Sequence, residues 1–91
     1  MIQITAVKFK NGTSHKDIAM FKWHELGKPI TTKESNLETM VKFTESRPGK
    51  VVVRHGNQAV LVKVIEGANS KYLQCYEEKG LCNTLIELPE F

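Results

Sequence analysis

The chain has 91 residues, 41% of them hydrophobic and 25% charged, with a net charge of +3. That composition is too apolar for disorder, and the length excludes a second core: a chain this size hides only roughly 60–65% of its unfolded surface, so residues 1–91 form a single domain. The charge is uneven: residues 1–63 carry eleven Lys and Arg against five Asp and Glu, and residues 64–91 carry two against five. A basic body with an acidic end fits an anionic partner or a head-to-tail contact between copies, and equally a solvated mixed surface.

The opening MIQITAVKFK alternates apolar and polar residues, with a change of phase at Ala6-Val7 that predicts a bulged strand. It has no apolar stretch of signal-peptide length, and no run in the sequence is long enough to span a bilayer, so a reducing cytoplasm and free thiols are expected. NGTSHKD over 11–17 is turn chemistry. Phe21 and Trp23 alternate with Lys22 and His24, which gives a second strand with one wet face. LGKPITTK over 26–33 reads as a loop.

One helix is marked by Ser35 with Glu38 three residues on, a capping-box spacing, followed by Leu37, Met40, Val41 and Thr44 at helical period. Arg47-Pro48-Gly49 ends it, because proline disfavours helical geometry in the residue before it. KVVVRHGNQAVLVKVI over 50–65 is a hairpin about Gly56-Asn57, with glycine first as a type II′ turn requires. The turn fixes the register: Val53 opposes Val60, Val52 opposes Leu61, Arg54 opposes Ala59, and Lys50 opposes Lys63. Val51, Val53, Val60, Val62 and Val64 then form the core face, and Lys50, Val52, Arg54, Ala59, Leu61 and Lys63 the other. EGANS is a turn, KYLQCY a fifth strand, EEKG another turn, and the closing apolar residues Leu85, Ile86, Leu88 and Phe91 are expected to close the core. The predicted fold is α+β: a mainly antiparallel, twisted, half-barrel-like sheet of about five strands in the order ββαβββ, with one helix on one face.

Chemistry is sparse. Cys75 and Cys82 are spaced too widely for the close pairs of zinc sites or the C-x-x-C of redox sites, so no metal or cofactor is expected and Cys75 reads as a small buried hydrophobe. Asp17 is the sole aspartate, the glutamates do not pair, and the three histidines sit among turn or strand-edge residues, suited to surface or capping roles. No nucleophile motif or phosphate loop occurs. The basic face is the strongest lead. Lys50, Arg54 and Lys63, joined by Lys8, Lys10, Lys22 and His24, would suit single-stranded nucleic acid or an acidic partner. Against this, no aromatic is evidently placed there for stacking, and lysines on strands also serve to block edge pairing. Tyr72 and Tyr76 lie on the strand face opposite Leu73 and Cys75, as interface candidates.

ITAV at 4–7, His15 and Ile18 ahead of Trp23, Met40-Val41-Lys42-Phe43, Tyr72-Leu73 and the closing TLIELPEF together resemble bacterial domain-of-unknown-function family 3892. The chain departs from that pattern at Asn83-Thr84, where the family has Asp-Asn, and at Cys75, where threonine is usual. The resemblance implies a small bacterial α+β domain without catalytic residues. The absence of any catalytic set in a short chain with several strands makes the expected function a non-enzymatic binding or interaction module, with a homodimer through a sheet edge as one form of it. The alternative is weak single-stranded nucleic-acid binding on the basic face, and a small-molecule enzyme is a distant third.

Overall fold

The computed structural model describes residues 1–28, 32–77 and 80–91. It is α+β, as expected, with seven strands among the described residues rather than about five: β1 (Ile2–Phe9), β2 (Ile18–Glu25), β3 (Lys33–Asn36), β4 (Val51–His55), β5 (Gln58–Glu66), β6 (Lys71–Glu77) and β7 (Gly80–Cys82). The helix α1 (Leu37–Ser46) falls between β3 and β4. All seven strands make one sheet in the order β3-β2-β1-β4-β5-β6-β7.

The sheet is mixed. Ile2, Ile4 and the residue between them pair in parallel with Val51, Val53 and Val52, while the other strand pairs are antiparallel. A parallel pair needs a long crossover, and the segment running through β2, β3 and α1 supplies it. β3 and β7 were missed because each is short. The loop expected over 26–33 and the turn over 77–80 lie partly outside the described residues; of their described parts, Lys33 opens β3 and Gly80 opens β7.

The phase change in β1 is a bulge at Thr5. Ile4 pairs with Trp23 and Ala6 with Lys22, so Thr5 is left between them and Ala6 and Val7 are both buried. The bulge divides β1 between two neighbours. Residues 2–4 pair with β4, whereas Val7 N–H donates to Pro89 O (3.0 Å) and Phe91 N–H donates to Val7 O (3.1 Å). Residues 89–91 thus take the place beside β1 that β4 has left.

The β4–β5 hairpin follows its predicted register from His55–Gln58 to Val52–Leu61, with Gly56 at φ 62°. Lys50 stands before β4, so the expected Lys50–Lys63 cross-strand pair lies beyond the ladder. Val52, placed by alternation on the outer face, is nonetheless buried, because it is flanked by Gln3 on β1 and Leu61 on β5 in the middle of the sheet.

The helix begins one residue later than its capping box suggested. Asn36 is the cap, its Oδ1 accepting from Thr39 N–H at 2.8 Å, while Ser35 Oγ accepts from Trp23 Nε1 at 3.0 Å. Met40, Val41 and Thr44 are buried against the sheet, and Gly49 at φ 78° turns the chain back towards β4. The core joins these to Ile4, Val7, Ile18, Phe21, Val51, Val53, Val60, Val62, Leu73, Cys75 and Leu85. The sheet curls: the 3-10 turn His15–Asp17, in the connection from β1 to β2, packs against β6 although β4 and β5 lie between those strands.

Candidate functional site

The face of the sheet turned away from α1 carries one continuous row of paired residues. His24 opposes Gln3, Gln3 opposes Val52, Val52 opposes Leu61, Leu61 opposes Tyr76, and Tyr76 opposes Leu81. Pairing in register stacks these side chains side by side across six strands. Exposure rises along it, from 3% at Val52 to 41% at Leu61 and Tyr76 and 53% at Leu81. Among the described residues only Met1 and Leu26 are other large hydrophobics so exposed. Scattered single exposed hydrophobics are ordinary; three aligned on adjacent strands make a patch.

Cations flank the row. On β5, Ala59, Leu61 and Lys63 share this face; Arg54 stands opposite Ala59 on one side, and Lys63 opposite Gln74 on the other. Lys63 Nζ lies 4.2 Å from the centre of the Tyr76 ring. Tyr72, opposite Ile65, is half-buried on the same face. Further along, the Phe91 ring is approached by Lys8 Nζ at 5.1 Å and Lys22 Nζ at 4.7 Å. Phe91 therefore does not close the core with Leu85, as the sequence suggested; it is half-buried against lysines. Among the described residues the ion pairs engage Lys28, Lys42 and Lys71, and none of these flanking cations.

Of the predicted binding residues, Arg54 and Lys63 therefore stand together on the outer face with Tyr76, and Tyr72 lies nearby. Lys50 does not share their ladder. It lines a cleft with Trp23, Phe43 and Arg47 at the end of α1.

Cys75 and Cys82 oppose one another on β6 and β7 and are joined as a disulfide, with Cα atoms 5.5 Å apart. This overturns the expectation of free thiols. The spacing that excludes a zinc or C-x-x-C site suits a hairpin: an antiparallel ladder that pairs Glu77 with Gly80 sets Cys75 opposite Cys82. Had EEKG been given a hairpin register like that of Gly56-Asn57, the pair would have been visible. Thr84, buried at the start of the 3-10 turn Thr84–Glu87, lies 3.1 Å from His55 Nδ1 through its Oγ1, which ties the end of β4 to the C-terminal segment.

The titratable groups whose pKa is displaced lie apart from one another. Hydrogen bonds from the Ser14 hydroxyl and backbone hold Asp17 below the usual carboxylate range. A hydrogen bond from Lys28 lowers Glu25, and one to Glu45 raises Lys71. His15, expected at the surface, is buried, its Nε2 has no hydrogen-bond partner among the described residues, and desolvation lowers its pKa. No group of three His, Cys, Asp or Glu side chains among the described residues could hold a metal ion. No helix among them is long and apolar enough to cross a membrane.

Comparison of the chain with protein-family models, with curated proteins and with solved structures finds no match to any of them.

Proposed function

We propose that the protein is a non-enzymatic interaction module that contacts a second copy of itself through the β7 edge, with the row Leu61–Tyr76–Leu81 as its anchor. The observation that carries this is the rise in exposure of one paired row towards a sheet edge. The two edges differ in chemistry. β3 reads KESN and presents Lys33 and Glu34, charges that discourage strand pairing; β7 reads GLC, without charge. A strand added antiparallel to β7 would extend the row, and tyrosine and leucine are effective anchors once water is excluded. Light scattering at tens of micromolar is expected to give a dimer, and Leu81→Asp a monomer. A strict monomer in the parent protein overturns self-association.

The second reading is single-stranded nucleic-acid binding on the same face. It is favoured by the exposed Tyr76 beside Lys63, which supplies the aromatic that the sequence did not evidently place there. Titration of a thymidine oligonucleotide at low salt, against Arg54→Glu/Lys63→Glu, decides it: equal binding by both proteins, or by neither, ends this reading. The likeness to family 3892 rests on short sequence pieces and adds no activity to either. The cysteine pair favours an oxidising compartment over the expected cytoplasm.

A further inference from the structure

We propose that the cleft between β2 and the C-terminal end of α1 binds a small organic anion: a carboxylate or sulfonate carried on an apolar ring or short chain. The cleft has a volume of about 600 Å³, within the range of small-molecule sites. Its apolar wall is built from Trp23 on β2 and Phe43 on α1, stacked with ring centres 6.4 Å apart and planes 28° from parallel, with Ile2 and Pro48 beside them. This site is separate from the outer-face row.

The charge balance selects the ligand. Lys28 and Glu25 both line the cleft and satisfy each other at 2.9 Å. Arg47 and Lys50 line it as well, and among the described residues neither has a carboxylate partner. Two positive charges therefore stand in surplus beside an aromatic wall. The Arg47 guanidinium lies 4.9 Å from the centre of the Phe43 ring, and stacking of that kind leaves the N–H edge of the fork free for a planar anion. The Trp23 indole N–H is already given to Ser35 Oγ, so the side-chain donors that remain for a ligand are cationic.

One effect opposes an anion here. The C-terminal end of a helix carries roughly half a negative charge. That end is partly neutralised, because Phe43 O accepts from Arg47 N–H at 3.1 Å and from Ser46 Oγ at 3.0 Å, and Glu45 is paired with Lys71. Two full cations outweigh what is left.

Trp23 is the sole tryptophan and stands in the wall, so the site reports on itself. The probe is anilinonaphthalene sulfonate, with uncharged phenylnaphthylamine as its counterpart of similar shape. Titration is expected to quench Trp23 emission saturably, with about tenfold or more weaker binding in Arg47→Gln/Lys50→Gln and no change in Arg54→Gln/Lys63→Gln. The uncharged counterpart should bind more weakly than the sulfonate to the parent protein and equally to both. Arg47 and Lys50 are exposed, and a thermal melt of the variant checks that it keeps its fold. Absence of saturation in the parent protein, equal affinity in Arg47→Gln/Lys50→Gln, or equal affinity for the two probes overturns the proposal.

Discussion

Cys75 and Cys82 face each other across β6 and β7, and the bond between them closes the hairpin that leads into the C-terminal segment. Cross-linking so short a loop removes conformations from the unfolded chain, worth about 2–3 kcal/mol on a chain-entropy account. Urea melts with and without a dithiol reductant should differ by that amount, and Cys82→Ser should match the reduced parent. Coincident melts would show that the bond adds nothing to stability.

His15 gives the protein a pH dependence of definite sign. Burial lowers its pKa below the ordinary 6.5, so between the two values the unfolded chain binds the proton and the folded one does not. The associated stability is fully present above pH 6.5 and is lost as pH falls through 6.5 towards the folded value. The urea midpoint should therefore drop between pH 7.5 and pH 5, and His15→Gln should flatten that part of the profile. An unchanged slope in the variant would assign the effect to other groups.

The C-terminal segment contributes its stability through Leu85, which is fully buried. Leu85→Ala should cost about 2–5 kcal/mol, as for other leucines cut back in closed cores. Removing everything after Gly80 also takes away the Pro89 and Phe91 partners of Val7 and one half of the cysteine pair, and should abolish the cooperative melt. A truncated chain that still melts cooperatively would make the segment peripheral.

At the start of α1 the two candidate caps make different predictions. Asn36→Ala removes the side chain that accepts from Thr39 N–H and should cost about 1 kcal/mol. Ser35→Ala leaves that cap in place and instead removes the acceptor of the Trp23 indole, so its effect should appear as a shift in Trp23 emission.

These cases show what the residues made legible. The β4–β5 register, the core valines and the β1 bulge follow from period-two alternation and a glycine turn, which are local signals. Ser35 and Asn36 are both competent caps one position apart, and only the tertiary contact to Trp23 divides their roles. β3 and β7 are too short for a periodic signal. The parallel β1–β4 pair joins strands with most of a fold between them, which no local pattern encodes. At the outer face, alternation placed Arg54, Leu61 and Lys63 together; Tyr76 joins them only through the β5–β6 register, which no turn signal fixed, and Leu81 was missed with its strand. The cleft was missed altogether, since Trp23 and Phe43 meet only when α1 is laid across the sheet.

The shared occupancy of β1 bears on how the molecule assembles. On the side away from β2, Val7 receives its neighbour from residues 89–91, nearly the whole described sequence away, so this inner strand cannot be completed by any early local event. Pairings of such separation slow folding, because the loop must close before the contact repays it. On the ribosome, the far half of β1 would remain an open strand until the last described residues emerge. A nascent chain halted before that point presents an unpaired apolar edge, the kind of surface through which incomplete chains associate.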